Sequence, residues 1–495
     1  MQKEILALEH NQTWELTTLP IDKQAVDCKW VFKIKHNSDG TVERYKARLV
    51  AKGFTQIEGI DYHDTFAPVV KMTTVRCVLV VAAVRKWPLF QLDVNNAFLH
   101  GLLDEDVYMK LPSGFYPQAR NQGLVCKLQR SIYGLKQASR QWFSRFSDAL
   151  IAFGFVKSFN DYSLFTLTTN EHFLILLVYV DDVVLTGTSS ALIEKVKLFI
   201  HDKFQIKDLG NLKYFLGLEV ARSSAGIFLN QRKYVMDMLE EYHFTECKPV
   251  KTPMETKHGL GLSSAPLLPD ASVYRRLIGR LIYLTITRPD LSFPVHVLSQ
   301  FMQSPNEDHL RAAHRVLRFI KLAPAQGLLF PTDSSLCLTA YCDADWASCP
   351  TTRRSVSGYC MMLGSSLISW KTKKQVVVAR SSAESEYRAL AGACGEVLWL
   401  VRLLADLQVQ VPTPVLAFCD SQAAIHIARN LNTINAVFIQ RNKIQMTPYT
   451  KTIIRNLALT KLQNLPQRSA GRSASSPQRS AGRSAGSSPY SVCIS

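Results

Sequence analysis

Aliphatic and β-branched residues form an almost unbroken run over residues 174–186, and two adjacent carboxylates, Asp181 and Asp182, interrupt it at its centre. The apolar flanks predict two strands of a buried hairpin, with the acidic pair at or beside the turn. Two buried like charges are costly unless a cation neutralises them, and no Lys or Arg lies within the run. Carboxylate oxygens suit Mg²⁺ or Mn²⁺, so the pattern favours a metal site. A solvated surface turn is the alternative, because Asp is common in turns.

A third carboxylate stands at the end of a second apolar run. Asp93 lies in the strand-like stretch FQLDV, and an aromatic residue, Phe98, follows five positions later. Two strands that present three carboxylates to one point would form a two-metal site for in-line displacement at phosphorus. Phe98, judged from the residues alone, is a core side chain.

Alternation of period two predicts another hairpin near the N-terminus. The strands VFKIK and VERYKARLVA flank residues 37–40, Asn-Ser-Asp-Gly, which are a strong turn signal. The second strand places Arg44, Lys46 and Arg48 on one face. That face is either the solvated side of an edge strand or a surface that holds phosphate groups.

Helical periodicity predicts buried or amphipathic helices over residues 72–86 and 191–204, and a further helix between them. The inward face of that further helix carries Trp142, Phe143, Phe146 and Leu150. Residues 246–270 are rich in Pro, Ser and Gly and predict a linker.

Two helices are predicted after the linker, and the second has a stripe of basic residues at helical spacing. These residues, called the basic stripe below, are Arg311, Arg315, Arg318 and Lys321. The basic stripe is either a solvated helix face or a contact for nucleic-acid phosphates, and the second hypothesis predicts salt-sensitive binding.

From residue 336 onward the pattern predicts three strands, a helix, a strand and a helix, which fit a mixed α/β sheet. Asp343 ends the first strand, Glu386 lies on the first helix and Asp420 ends the next strand. Each acid alone could be a helix cap or a surface residue.

Length and charge add two constraints. A chain of 495 residues with 47% hydrophobic and 20% charged residues can form two or three globular domains. The net charge of +18 favours a polyanionic partner. Ten of the 58 Lys and Arg residues follow Asp420, where no Asp or Glu occurs, so residues 1–420 carry only +8.

Cysteine spacing and hydropathy indicate a compartment. The eleven Cys residues form no CxxC pair and no zinc-type cluster, which indicates a reducing, intracellular setting. The N-terminus does not resemble a secretion signal. The strongly apolar run over 173–180 is too short to span a bilayer, so no membrane partner is expected.

Four motifs in order carry a resemblance to a known family. QLDVNNAFLHG, SIYGLKQASRQWF, LVYVDDVVLTG and KYFLGLEV resemble the polymerase motifs of reverse transcriptases from copia-type LTR retrotransposons, and the similarity runs from about Thr13 to about Asn430. The resemblance implies an α+β right-hand polymerase with fingers and palm over 1–245 and thumb or connection helices over 271–335. It further implies a truncated α/β ribonuclease H-like domain over 336–430, followed by a basic, low-complexity tail over 431–495 that we expect to be disordered.

The resemblance also assigns roles at the polymerase site. It implies that Asp93, Asp181 and Asp182 hold two Mg²⁺ or Mn²⁺ ions and that Lys46 and Arg48 hold the nucleotide triphosphate. It also implies that the Phe98 ring excludes the ribose 2′-hydroxyl, that Gln137 packs on the nucleotide, and that Tyr179 packs on the primer. Ser139 departs from the family pattern, which usually has Pro there.

In the third domain, Asp343, Glu386 and Asp420 match three of the four metal-binding carboxylates of ribonuclease H. The fourth cannot be supplied, because no acid follows Asp420. Weak or lost RNA cleavage is therefore expected.

The resemblance implies RNA-directed DNA synthesis, with RNA template, DNA primer, RNA–DNA hybrid and dNTPs as partners. It implies a fragment of a Pol polyprotein from the DNA integration pathway, in cytoplasmic virus-like particles or the nucleus, since no protease or integrase signature occurs. The alternative is a decayed, non-enzymatic nucleic-acid-binding remnant. Oligomeric state is not indicated.

Overall fold

A computed structural model describes residues 1–36, 41–255, 258–429 and 492–494. The chain has an α+β fold and divides into two compact units. Unit 1 comprises residues 1–75 and 87–212, and unit 2 comprises residues 76–86 and 213–495.

The described part of unit 1 contains four helices and the first residues of a further one, α2, most of which lies in unit 2. They are α1 (Gln2–His10), α2 (Met72–Val84), α3 (Pro117–Asn121), α4 (Ala138–Phe153) and α5 (Ser190–Phe204). Its strands are β1 (Trp14–Thr18), β2 (Cys28–His36), β3 (Val42–Ala51), β4 (Leu89–Val94), β5 (Leu102–Met109), β6 (Leu124–Arg130), β7 (Val156–Lys157), β8 (Leu164–Thr168), β9 (Phe173–Tyr179), β10 (Asp182–Gly187) and β11 (Ile206–Asn211).

The centre of unit 1 is a six-stranded antiparallel sheet in the order β11-β4-β10-β9-β8-β7. β9 and β10 are interior strands, and nearly every residue of both is buried. Their continuous apolar sequence follows from that position, because both faces of the strands are covered. The core contains Trp142 and Phe146 from α4 and Ile193 from α5.

Two smaller sheets complete unit 1. β2 and β3 form a two-stranded antiparallel ribbon, and β1, β6 and β5 form a three-stranded sheet. A second core, with Ile5 of α1, Leu49 of β3 and Met109 of β5, lies beneath them. The turn predicted at residues 37–40 lies outside the described residues.

Where the structure describes unit 2, its further helices are α6 (Arg232–Glu241), α7 (Ala271–Leu284), α8 (Ser292–Ser299), α9 (Glu307–Leu322), α10 (Ser382–Asp406) and α11 (Gln422–Arg429). Its strands are β12 (Tyr214–Phe215), β13 (Leu218–Ser223), β14 (Gly226–Asn230), β15 (Leu328–Pro331), β16 (Leu338–Asp345), β17 (Val356–Leu363), β18 (Ser366–Lys374), β19 (Val415–Phe418) and β20 (Val492–Ile494).

Helices α6 to α9 share one apolar core, which includes Tyr274, Leu281 and Leu317. α9 begins with a reciprocal cap, in which the Asn306 side chain accepts from the His309 backbone and His309 Nδ1 accepts from the Asn306 backbone. The core also explains why residues 246–270 differ from a free linker. Among its described residues, Leu260–Leu262 form a short 3-10 helix, and Met254 and Leu260 are buried in that core.

One sheet of unit 2 has four strands in the order β12-β13-β14-β15, and a second has five strands in the order β18-β17-β16-β19-β20. β16 and β19 are parallel, and the other pairs are antiparallel. The strand–strand–strand–helix–strand–helix order predicted after residue 336 is confirmed. β20 lies within the predicted tail; the rest of the proposed disordered region, 431–491 and residue 495, lies outside the described residues.

The compact units do not follow the boundary proposed at residue 245. β12, β13 and β14 belong to unit 2, because β14 pairs with β15 about a hundred residues later in the chain. No helix within the described ranges is long and apolar enough to cross a membrane.

Candidate active sites

The β9–β10 hairpin turns through two residues, Val180 and Asp181, as the interrupted apolar run predicted. Asp182 begins β10, and it is opposite Tyr179 of β9 on one side and Asp93 of β4 on the other. The Val94 backbone N–H donates to the Asp181 carbonyl at 2.8 Å. Strand pairing therefore brings the three predicted acids to one end of the sheet.

The turn has an unusual backbone conformation. Val180 has φ of +55°, a region that β-branched residues rarely occupy. The buried indole of Trp142 donates its Nε1–H to the Val180 carbonyl at 2.7 Å. Sequence reasoning placed Trp142 in the core but missed this contact, since an inward Trp on a helix carries no signal for its hydrogen-bond partner.

Burial and mutual repulsion disfavour the ionised acids. Burial raises the pKa of Asp93, and the nearby Asp181 carboxylate raises it further, against smaller opposing effects of Lys207, Lys46 and Arg48. Burial also raises the pKa of Asp182, although a 3.2 Å hydrogen bond from Gln91 Nε2 opposes the shift. A bound cation would relieve both costs.

The predicted cations lie on one face of the β2–β3 ribbon. Its register pairs Arg48 with Val31, Lys46 with Lys33 and Arg44 with Lys35. Directly opposed residues of an antiparallel pair share a face, so this side of the ribbon is basic. Lys46 and Arg48 are close enough to Asp93 to affect its ionisation.

Phe98 and Arg48 converge on a tyrosine that sequence reasoning missed. The Arg48 guanidinium lies 4.2 Å from the centre of the Tyr133 ring, and the Phe98 ring meets that ring edge-on at 5.1 Å. Arg48 Nε is buried and has no hydrogen-bond partner among the described residues. Phe98 is half-buried, so it borders both the core and the open side of the site.

Gln137 does not join these residues through its side chain. It is fully buried, where its Oε1 accepts from Gln56 at 3.1 Å and its Nε2 donates to the Asp61 carbonyl at 2.9 Å. In this arrangement the Gln137 amide holds the loop that carries Gln56 and Asp61.

The basic stripe is largely engaged within unit 2. Arg318 Nε donates to the Lys248 carbonyl at 2.8 Å, and Lys321 Nζ donates to the Cys247 carbonyl at 2.6 Å. Arg315 donates to Glu255 and Thr252, and Arg311 pairs with Asp308 of its own helix. Three of the four members therefore fasten the segment 247–255.

Unit 2 contains a second group of carboxylates, Asp343, Glu386 and Asp420, which we call the acidic trio. Asp343 lies near the end of β16, Asp420 follows the parallel strand β19, and Glu386 lies in the first turns of α10. One ligand atom from each lies within 4.8 Å of the others. The structure thus brings together the three acids predicted for this domain.

Burial dominates the electrostatics of the acidic trio. It raises the pKa of Glu386 to about 10, with a further contribution from Asp343. Burial and the charge of Asp420 raise the pKa of Asp343. Cys419, whose Sγ donates to Glu386 Oε2 at 3.7 Å, was not identified from the sequence.

Both groups offer only hard oxygen donors from carboxylates, and this donor chemistry fits Mg²⁺ or Mn²⁺.

Comparison with known proteins agrees with the sequence motifs. A family model described as "Reverse transcriptase (RNA-dependent DNA polymerase)" matches residues 11–256. The chain is 44% identical over 431 residues to the retrovirus-related Pol polyprotein from transposon RE1 of Arabidopsis thaliana, an alignment that covers 87% of this chain and 29% of that protein.

Two further relatives extend the comparison. The Pol polyprotein from transposon TNT 1-94 of Nicotiana tabacum is 39% identical over 440 residues, covering 87% of this chain and 33% of that protein. A putative transposon Ty5-1 protein of Saccharomyces cerevisiae is 33% identical over 299 residues, covering 60% of this chain and 97% of that protein. The chain thus spans 29% to 33% of the RE1 and TNT 1-94 polyproteins. With its motifs and acidic hairpin, it belongs to the reverse transcriptases of copia-type retrotransposon Pol polyproteins.

Proposed function

We propose that the chain is an RNA-directed DNA polymerase that extends a DNA primer on an RNA template with dNTPs. The observation that carries the proposal is the pairing of Asp182 with Asp93 next to the Asp181 turn. The six-stranded sheet would be the palm, the β2–β3 ribbon the fingers, and α7 to α9 the thumb or connection. We also propose an intracellular location, in cytoplasmic virus-like particles or the nucleus.

In this proposal Asp93, Asp181 and Asp182 would hold two Mg²⁺ or Mn²⁺ ions, whose chemistry when bound is to lower the pKa of the attacking 3′-hydroxyl and to bear the charge of the leaving pyrophosphate. The raised pKa values of Asp93 and Asp182 support this assignment, because acids that resist ionisation alone gain most from a cation.

The basic face of the ribbon would bind the triphosphate. Lys46 and Arg48 are near enough to act on Asp93, and charge-assisted hydrogen bonds from such side chains suit phosphate oxygens. Phe98, held edge-on by Tyr133, would meet the sugar and exclude a 2′-hydroxyl. Tyr179, opposite Asp182, would lie under the primer terminus.

For Gln137 we propose an indirect role, because its buried amide holds the preceding loop. The acidic trio would support metal-dependent cleavage of the RNA strand of a hybrid, and we expect this activity to be weak. The resemblance implies a fourth carboxylate, and no Asp or Glu follows Asp420 in the given sequence.

Primer extension on an RNA template with dNTPs and Mg²⁺ tests the proposal. We expect the wild-type protein to extend the primer, and Asp181→Asn to lose at least about a hundredfold in rate while still binding the duplex. Asp202→Asn, an exposed acid of α5 in the same unit, is the matched control and should keep the wild-type rate.

The same experiment separates the polymerase from a non-enzymatic remnant. Folded wild-type protein that binds the duplex but adds no nucleotide would favour the remnant, in agreement with the loss of the family resemblance after about Asn430. Equal extension by the wild type and Asp181→Asn would remove Asp181 from the proposed site.

A further inference from the structure

The Tyr133 ring is the meeting point of two side chains from separate elements. The Arg48 guanidinium of β3 lies 4.2 Å from the ring centre, where the face of an aromatic ring attracts a cation. Phe98, from the short 3-10 helix Ala97–His100, meets the same ring edge-on at 5.1 Å with an interplanar angle of 73°. Tyr133 therefore connects the residue proposed for the triphosphate with the residue proposed for the sugar.

The backbone around Tyr133 is fixed against the end of β3. The Ala51 N–H donates to the Tyr133 carbonyl at 2.8 Å. Gly134 has a φ of +94°, and a Cβ atom there would overlap the Ala51 carbonyl oxygen, so glycine is required for this close approach. The Tyr133 ring consequently keeps its position relative to the β2–β3 ribbon.

Phe98 depends on Tyr133 for part of its packing. It is half-buried and packs against both apolar cores of unit 1. The Tyr133 ring adds an edge-to-face contact on top of this packing. An aliphatic side chain at position 133 would remove that contact and leave space into which the Phe98 ring could turn.

We propose that Tyr133 is a positioning residue for nucleotide selection: its ring fixes Phe98 against the sugar and makes the preference for a 2′-deoxyribose depend on Arg48. This inference rests on the proposed polymerase function and adds to it a coupling between the phosphate-binding and sugar-binding residues. A dNTP and an rNTP carry the same triphosphate, so a cation that acts on phosphate alone changes both affinities equally. Because Arg48 shares the Tyr133 ring with Phe98, a change at this cation also alters the ratio of the two affinities.

The test is equilibrium binding of dGTP and of GTP, with Mg²⁺, to the full chain on an RNA template annealed to a dideoxy-terminated primer. The blocked primer prevents chemistry, so affinity is measured whether or not the chain adds nucleotides. We expect the wild type to prefer dGTP. Tyr133→Leu should reduce the ratio of the two affinities at least about tenfold, whereas Tyr133→Phe, which keeps the ring, should stay within about twofold of the wild type. Tyr108→Leu is the matched control, because it removes a buried tyrosine of β5 outside the proposed site, and it should keep the wild-type ratio.

Arg48→Lys supplies a second variant that keeps the positive charge but loses the planar guanidinium. It should reduce the affinity ratio at least about threefold, because an ammonium group does not lie on a ring as a guanidinium does. Circular dichroism should show a wild-type fold for each variant compared, and if Tyr133→Leu fails to fold, Arg48→Lys decides the question.

Three results would overturn the proposal: a wild-type ratio in folded Tyr133→Leu, an equal loss of affinity for dGTP and GTP in Arg48→Lys, or no preference for dGTP in the wild type. Failure of the proposed polymerase function is seen separately. It would appear as wild-type protein that binds dGTP in preference to GTP but does not extend an unblocked primer.

Discussion

The position of Asp181 depends on two uncharged neighbours. Val180 has a positive φ, and a β-branched residue in that region costs of order 1–3 kcal/mol unless its surroundings hold it. The Trp142 indole does so by donating to the Val180 carbonyl. Trp142 itself packs against Phe146 and Phe204, so the turn is tied to the core of unit 1.

We therefore expect Trp142→Phe to slow nucleotide addition more than its loss of folding stability alone would explain. Phe keeps an aromatic ring in the core but removes the N–H donor, which leaves the Val180 carbonyl unpaired at a cost of about 1–3 kcal/mol. The turn would then fix Asp181 less well. Single-nucleotide incorporation under saturating dNTP should be slower by at least about tenfold, with a lower midpoint of thermal unfolding.

Tyr274→Phe is the matched control for this loss of a buried hydrogen bond. Its hydroxyl donates to the Leu298 carbonyl at 2.8 Å within the helical core of unit 2. It should lower the unfolding midpoint comparably without slowing incorporation at a permissive temperature. If both variants slow incorporation equally, the effect of Trp142→Phe is one of stability, and the turn does not depend on the indole.

At the scale of elements, the local sequence was sufficient to predict those strands, helices and turns whose structure is determined within one segment. The interrupted apolar run predicted the β9–β10 hairpin, and the order of strands and helices predicted the placement of Asp343, Glu386 and Asp420. Local sequence could not predict the burial of Gln137, because its hydrogen-bond partners Gln56 and Asp61 lie 81 and 76 residues away in the chain. Hydrogen bonds of that kind depend on tertiary packing, which periodicity does not encode.

The basic stripe shows the same limit and leads to a prediction. Helical spacing located the four cations, but it could not reveal that Arg318 Nε–H already donates a hydrogen bond to the Lys248 carbonyl. Arg318→Gln should therefore accelerate limited proteolysis within 247–255 while leaving the salt dependence of template–primer binding unchanged. Loss of a phosphate contact would instead reduce the slope of log K against log salt by about 0.9.

Arg311→Gln is the control for that prediction. The Arg311 side chain is 75% exposed and pairs only with Asp308 of α9 among the described ion pairs. Proteolysis of 247–255 should match the wild type in this variant. A reduced salt slope in Arg318→Gln, with unchanged proteolysis, would restore the phosphate-contact hypothesis for that residue.

At the scale of the whole molecule, each compact unit contains its own group of carboxylates. Asp93, Asp181 and Asp182 lie in unit 1, and the acidic trio lies in unit 2. Sequence motifs located both groups, but they did not predict the boundary at residue 212. That boundary follows from the pairing of β14 with β15, which a linear pattern cannot show.

Many positively charged residues lie after the last of the proposed site acids, and this leads to the last prediction. Nine of the 58 Lys and Arg residues lie in 431–491, where no acid offsets them, whereas every proposed site acid lies at or before Asp420. A full-length variant with those nine residues changed to Gln keeps β20 and removes only charge. We expect it to bind non-specific duplex more weakly and with a shallower salt dependence, because fewer counterions are released.

Once duplex is saturating, the extension rate of this variant should equal that of the wild type. Fluorescence anisotropy across a salt series and primer extension would measure the two quantities, and a slower rate at saturation would mean that the cations of 431–491 act in nucleotide addition itself.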